Sequence, residues 1–339
     1  MDLGFNYPFP WNAYGRYFGR GAPPGSEPEL ANWLGELERN LEVLRQRLGM
    51  KVVRLFLLCN AWNYGRVEAG RFAPPQHLHP AFLEDLHRVL DVFRAQRMKV
   101  ILSLFDFKAF GRAWRQNGCG ERHAILHDPW TQRIVLEQTL SAFLQVSAPY
   151  RDVVFAWEVM NEPAWNTWRL APRSSAGGRT TSVEVMAAFL ARATSLIDAH
   201  GFPSTVGHRF VSDLRRYPTG TLRQFHFYPT GPMGRAVIDR TLPEFSTTGA
   251  ILGEFGVQGS GEQGQPWPEL HGLDRGSTRI RTLHRLRHVR DKGYRLALLW
   301  PDGSDGRGAR ALPPGPDPLQ LSLEAQSGVE DFLSQARSA

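Results

Sequence analysis

The stretch that decides the fold is Phe155-Ala-Trp-Glu-Val-Met-Asn-Glu-Pro163. An apolar run that begins at Val153 fills most of it, and its Val, Phe and Trp residues are typical of a strand covered on both faces. The run stops at Asn161 and Glu162, and Pro163 cannot continue a ladder because it has no amide hydrogen. The sequence therefore places a polar Asn-Glu pair at the rim of a buried core.

A second stretch, Ala250-Ile-Leu-Gly-Glu-Phe-Gly256, has the same form, since an apolar run ends on the carboxylate of Glu254. A single glutamate after a strand is most often a solvated loop residue. Two glutamates at the ends of two buried strands are what glycoside cleavage requires. One protonates the leaving oxygen, and the other attacks the anomeric carbon or activates water. The pair Glu162 and Glu254 therefore predicts a glycosidase.

Apolar runs elsewhere in the chain predict six further strands, and helical periodicity predicts helices between most of them. The predicted strands are 3–7, 52–58, 99–105, 153–160, 204–208, 223–228, 250–255 and 295–300. The predicted helices are 29–48, 80–97, 129–146, 182–199, 278–290 and 321–336. Eight short strands alternating with helices over 339 residues fit an α/β fold, a (β/α)8 TIM barrel that forms one domain over 1–339.

A doubly wound sheet is the rival architecture, and it would need a dinucleotide motif. Gly259-Ser-Gly-Glu-Gln-Gly264 has the spelling of that motif, but Pro266 and Pro268 follow where a helix should begin. Cys59 and Cys119 fit no metal motif. We therefore expect no cofactor and no metal.

The composition limits the classes of partner. The formal charge of +7 comes from a preference for arginine, because all but four of the 40 cationic residues are arginines and none form a long basic run. We therefore expect no nucleic-acid partner. No stretch is long and apolar enough to span a membrane. The chain is expected to be cytoplasmic if it is complete, or secreted if a signal peptide was removed.

Polar and aromatic side chains gather at the carboxyl ends of the predicted strands, where barrel active sites lie. They are Asp106, Asn161, Glu162, His226, Tyr228, Glu254 and Trp300. Arg54 lies within the second strand, and a buried arginine must be paired, so it is expected to face a carboxylate.

This pattern resembles the retaining glycoside hydrolases on (β/α)8 barrels, and within them family 5, the cellulase and mannanase family. In that family an Asn-Glu pair closing strand four supplies the acid/base, which matches Asn161 and Glu162. The nucleophile closes strand seven, which matches Glu254. The family's remaining positions are an arginine on strand two, an H-x-Y on strand six and a tryptophan on strand eight. They match Arg54, His226, Tyr228 and Trp300.

The resemblance implies a role for each residue. Glu162 would be protonated, with its pKa raised by apolar surroundings and by the charge of Glu254. Arg54 and Tyr228 would hold Glu254 ionised. Asn161 would bind the sugar 2-hydroxyl, and the ring of Trp300 would stack on the sugar. The implied mechanism is double displacement with retention.

The sequence indicates the substrate less clearly than it indicates the catalytic residues. The stretch from Phe105 to Gly111 carries Asp106 where many family members have histidine, and it looks more like the loop of the family's β-mannanases. Mannan is therefore favoured, with β-glucans and other β-linked polysaccharides or oligosaccharides left open. Further tryptophans near this face are predicted to stack on sugars; they are Trp11, Trp62, Trp114, Trp165 and Trp168. Transglycosylation by the same residues and a non-catalytic glycan-binding barrel are the alternatives.

Overall fold

Eight parallel strands close into a barrel in the computed structural model of the chain. Numbering all strands in chain order, the barrel strands are β1 (Asp2–Tyr7), β2 (Val52–Cys59), β5 (Lys99–Asp106), β6 (Val154–Asn161), β7 (Ser204–His208), β8 (Leu222–His226), β9 (Ile251–Phe255) and β10 (Leu296–Leu299). Each strand pairs with its neighbours in this order, and β1 pairs with both β2 and β10. The predicted fold class is confirmed, whereas the division into a single domain stays a prediction.

The structure describes residues 1–7, 30–59, 61, 64–68, 71–75, 78, 80–111, 121–167, 181–228, 241–244, 249–257, 266–301 and 321–338. Helices in these ranges are α1 (Leu30–Gln46), α2 (Pro80–Ala95), α3 (Ala124–His127), α4 (Pro129–Arg133), α5 (Ser141–Ser147), α6 (Ala164–Thr167), α7 (Val183–Ala199), α8 (Thr278–Asp291) and α9 (Leu323–Ser338). Among the described helices, none is both long and apolar enough to cross a bilayer.

Two local features differ from the sequence prediction. A short antiparallel hairpin, β3 (Arg66–Glu68) and β4 (Arg71–Ala73), lies in the region interpreted as a loop. The predicted helix 129–146 is interrupted by a π-helical segment, Ile134–Leu140. Periodicity finds a helix but does not detect one with an altered hydrogen-bond ladder, because the apolar spacing changes little.

The barrel has two apolar cores. The larger packs the outer faces of the strands against the helices. The smaller consists of strand residues alone, namely Val52, Ile101, Ala156, Ile251, Leu296 and Leu298. Side chains alternate along a strand, so the residue two positions after each of these lies on the same face. Arg54 thus lies on the same face as Val52, and Glu158 on the same face as Ala156. A layer of charged side chains therefore lies next to the smaller apolar core.

Candidate active site

Four of the residues singled out in the sequence converge at the carboxyl ends of the barrel strands. His226 ends β8 and pairs in register with Glu254 of β9. Its Nδ1 lies 2.8 Å from Oε1 of Glu162 and 3.3 Å from Oε2 of Glu254. Tyr228, two residues past β8, donates a hydrogen bond of 3.2 Å to Oε2 of Glu254. Two carboxylates, an imidazole and a phenol therefore share one buried site.

Arg54 is fully buried beneath this site and joins it to the barrel interior. Its Nη1 donates to Oε1 of Glu254 at 2.6 Å, and its Nη2 donates to Oδ1 of Asn161 at 2.6 Å. Its Nε and Nη2 also bind both oxygens of Glu158, at 2.8 and 2.6 Å. The expectation that Arg54 faces a carboxylate is confirmed, and it faces two.

Glu158 is the partner that sequence reasoning missed. Its two oxygens accept hydrogen bonds from Ser103 and Gln224 as well as from Arg54, so a fully buried charge is satisfied on every side. The signal was present in the sequence, because a glutamate in the middle of a buried strand requires a cation as surely as Arg54 requires an anion.

Gly207 in β7 leaves room for this ion pair. A Cβ built there would lie 3.0 Å from Nη2 of Arg54 and 3.1 Å from each oxygen of Glu158. Because both side chains are fully buried, neither can move away. We expect Gly207→Ala to lower the free energy of unfolding by about 1–3 kcal/mol through overpacking, measured by urea denaturation.

The matched control for Gly207 is Gly35 in α1, where a Cβ meets only Nη1 of Arg39 at an ordinary 3.6 Å. Gly35→Ala is expected to raise the free energy of unfolding by roughly 0.5–1 kcal/mol, since alanine is the better helix former. Equal stability of Gly207→Ala and the wild type would show that the Arg54–Glu158 pair is not fixed.

Asp106 makes contacts within the protein, and the substrate contact expected of it stays a prediction. It is buried and pairs in register with Asn161. Its Oδ2 accepts a hydrogen bond of 2.8 Å from Nδ2 of Asn161, and its Oδ1 accepts one of 2.9 Å from the Lys108 amide. Burial raises the pKa of Asp106. Both oxygens are thus used within the protein, and Asp106 orients Asn161.

Trp165 also differs from its expected role as an exposed stacking platform. It lies in α6, three residues after Glu162, and is only 6% exposed. Its ring packs near those of Phe107 and Phe210, and its indole N–H donates a hydrogen bond of 2.7 Å to Oε2 of Glu162. Trp165 therefore fixes the orientation of the glutamate.

The backbone at Glu162 is strained, with φ of 50° in the left-handed region. Its amide donates a hydrogen bond of 2.7 Å to the Gly207 carbonyl, which holds the strained turn to the end of β7. A non-glycine residue in this conformation costs on the order of 1–3 kcal/mol, and such residues concentrate at functional sites.

The pKa shifts of the two glutamates run opposite to the expectation. Burial raises the pKa of Glu162, but the His226 hydrogen bond, the Arg209 charge and the Trp165 hydrogen bond outweigh it and lower the pKa to about 2. The pKa of Glu254 is raised, because burial and the charge of Glu162 outweigh the effects of His226 and Arg54. The sequence interpretation missed this order because it did not identify Arg209, whose Nε lies 3.5 Å from Oε1 of Glu162.

The remaining predicted residues lie at the edge of the site or outside the described part of the chain. Trp300 directly follows β10 and is half-buried, and its amide donates a hydrogen bond of 2.9 Å to the Phe255 carbonyl. The residues outside the described ranges are Trp11, Trp62, Trp114, Cys119 and Trp168. Cys59 is buried and not in a disulfide.

The same cluster is the candidate site for a cation. One ligand atom each from Glu162, His226 and Glu254 lies within 4.8 Å of the others. However, Arg54 and Arg209 already place two guanidinium groups against these carboxylates. The donor set is thus electrostatically balanced without an ion, and it fits proton transfer better than metal binding.

Fold and site together define a (β/α)8 barrel with a buried pair of carboxylates at the carboxyl ends of its strands. No family model and no curated protein matches the chain. Solved structures do match it. The β-mannanase of the blue mussel Mytilus edulis has a TM-score of 0.66 at 16% identity, over 98% of this chain and 92% of that one.

Two further solved structures have the same fold. The GH5_18 protein of Bifidobacterium longum, in complex with Manβ1-4GlcNAc, has a TM-score of 0.63 at 12% identity, over 100% of this chain and 79% of that one. The GH5_18 protein of Streptomyces cattleya, in complex with the same disaccharide, has a TM-score of 0.62 at 14% identity, over 99% and 81%. The chain is similar to both in fold.

Proposed function

We propose that this protein is a retaining β-glycoside hydrolase. The observation that carries the proposal is the meeting of Glu162 and Glu254, which have one oxygen each within 4.8 Å. Carboxyl groups roughly 5–5.5 Å apart allow direct attack on the sugar, whereas inverting enzymes need roughly 6.5–9.5 Å to admit a water molecule. The short separation supports retention.

In the proposed mechanism Glu254 is the nucleophile. Arg54 and Tyr228 bind its two oxygens, which orients the carboxylate and stabilises its charge as it attacks the anomeric carbon. The bond to the leaving oxygen breaks, and Glu162 supplies the proton that this oxygen needs. Water then attacks the glycosyl ester while Glu162 removes its proton, and Glu254 is released with net retention.

The proton must lie on Glu162 when the first step begins, although the pKa of Glu162 is lowered and that of Glu254 is raised. His226 is placed to correct this, because its Nδ1 is 2.8 Å from one carboxylate and 3.3 Å from the other. We infer that, when a sugar binds, His226 Nδ1 gives its proton to Glu162 and takes one from Glu254.

The proposed substrate class is a β-linked glycan or oligosaccharide, with β-mannan favoured over β-glucan. The mannan preference is supported by the solved β-mannanases of the same fold and by the family-like stretch after β5. In this stretch Phe107 packs beside Trp165, directly next to Glu162. Transglycosylation uses the same residues and differs only in whether water or a sugar hydroxyl accepts the glycosyl group.

The test is product release from β-mannan, β-glucan, xylan and aryl β-glycosides, with Glu254→Gln as the background control. We expect the wild type alone to cleave one polymer, and the first product seen by NMR to keep the β-configuration. An α-anomer as first product would overturn the retaining mechanism. Products longer than the substrate would identify transglycosylation, and binding without turnover would favour the non-catalytic alternative.

A further inference from the structure

Arg209 is a buried cation in the site, and it is not among the residues matched to the family pattern in the sequence. It follows β7 directly, its side chain is 3% exposed, and its Nε lies 3.5 Å from Oε1 of Glu162. Its guanidinium carbon is 4.7 Å from the centre of the Tyr228 ring and 5.0 Å from that of Phe210. Two aromatic faces therefore fix the cation beside one oxygen of Glu162.

Arg209 also contacts the other half of the site through Tyr228. The ring on which the guanidinium stacks is the one whose hydroxyl binds Oε2 of Glu254. The same side chain thus neutralises Glu162 and packs against the group that orients Glu254.

We propose that Arg209 is a positioning residue whose fixed charge stabilises the carboxylate form of Glu162 and so favours its part as the base of the second step. The inference rests on the proposed function and deepens it. Glu162 must be an acid in the first step and a base in the second. A fixed cation 3.5 Å away assists the second role and opposes the first.

The other charged and titratable groups around Glu162 come from every neighbouring strand end. They are His226 from β8, Glu254 from β9, Tyr228 beyond β8 and Asp106 from β5. Glu254 and Asp106 are acidic, and His226 is shared between the two glutamates. Arg209 is thus a permanent cation that forms an ion pair with Glu162, as Arg54 does with Glu254.

A consequence for substrates follows. When Glu162 is ionised, the first step lacks its proton donor, and glycosides whose leaving group departs as a stable anion are least affected. We expect the wild type at neutral pH to cleave aryl β-glycosides in an order set steeply by the acidity of the phenol. Without Arg209 this dependence should become shallower, because Glu162 keeps its proton at higher pH.

The test compares the wild type with Arg209→Met, Arg209→Gln and Arg209→Lys in the pH dependence of kcat/KM on an aryl β-glycoside. Because the pKa of Glu162 lies below that of Glu254, the acidic limb of this profile reports Glu162. Removing an opposite charge at this distance should move that limb to higher pH by about 1–3 units in Arg209→Met and Arg209→Gln. Arg209→Lys keeps the charge, so its limb should lie close to that of the wild type. Coincident profiles for all four proteins would overturn the proposal.

A second readout is independent of turnover. The Glu162 carboxyl is followed by carbon-13 NMR in glutamate-labelled protein and assigned by its loss in Glu162→Gln. We expect its titration midpoint to rise in Arg209→Met and Arg209→Gln, and not in Arg295→Met. Arg295 is the control because it stacks on Phe155 at 5.3 Å and lies at the opposite, amino end of β10.

The two readouts separate the failures. An unchanged Glu162 midpoint in folded Arg209→Met and Arg209→Gln would overturn the part assigned to Arg209. A raised midpoint in a protein that cleaves no glycoside would support that part, and it would overturn the proposed function instead.

Discussion

Arg54→Met is expected to lower the free energy of unfolding by about 3–5 kcal/mol and to remove activity on any glycoside that the wild type cleaves. Arg54 is fully buried and is the shared cation of Glu158 and Glu254, at 2.6 Å from each. Methionine fills much of the volume but leaves the fully buried Glu158 without its counterion. Glu254 would also lose the donor that orients it.

The measurement is urea unfolding followed by circular dichroism, with kcat/KM measured on the folded variant. Arg279→Met is the matched control, since Arg279 makes a two-point contact with Asp331 but is 54% exposed. An exposed pair contributes roughly 0–1 kcal/mol, so this variant should unfold close to the wild type. If the free energy of unfolding fell by the same small amount in both variants, the buried Arg54–Glu158 pair would not contribute more to stability than an exposed pair.

Glu254→Gln is expected to lower kcat on the order of 10⁴-fold or more, because a neutral amide cannot form the glycosyl ester. The fold should be kept, because Arg54 retains Glu158 and the amide oxygen can still accept its hydrogen bond. The pKa of Glu254 is raised in the folded protein, so its ionisation disfavours the native state. The variant should therefore be at least as stable as the wild type at neutral pH.

The sign of this effect can be checked against pH. A carboxyl whose pKa is raised on folding loses native-state stability as pH rises above its ordinary value. The stability of the wild type relative to Glu254→Gln should therefore fall as pH rises from about 4.5. Glu330→Gln, at an exposed carboxylate paired with Arg47, should show no such trend and normal turnover. Full activity in Glu254→Gln would remove Glu254 from the mechanism.

The barrel could be predicted because buried parallel strands are uninterrupted apolar runs that end at recognisable residues. Pro163 marks one end, and the glutamates mark the rim. Strand ends were off by one or two positions. Tyr228 was assigned to a strand but lies two residues beyond β8 (Leu222–His226), since pairing depends on the neighbouring strand and not on composition alone.

The sequence predicted which residues form the site better than it predicted the contacts between them. Arg54 was correctly expected to meet a carboxylate, yet Glu158 was treated as part of an apolar run, although the same rule on buried charge applies to it. Arg209 follows a weak strand, so nothing in its surroundings set it apart from the many other arginines. The ionisation of Glu162 depends on distances between strands that are remote in sequence, which no local pattern contains.

The hydrogen bonds of Asn6 bear on how the barrel folds during translation. Asn6 lies in β1, the first barrel strand in chain order, and its side-chain amide donates to the carbonyls of Gly253, Leu298 and Leu299. Its oxygen accepts from Arg54 at 3.0 Å. Strand β1 is translated before the other barrel strands, and its polar side chain is satisfied only after the last two of them have formed. A nascent chain stalled before Leu296 should hold neither a closed barrel nor an oriented Glu254, so competence for chemistry should arise in one late step of synthesis.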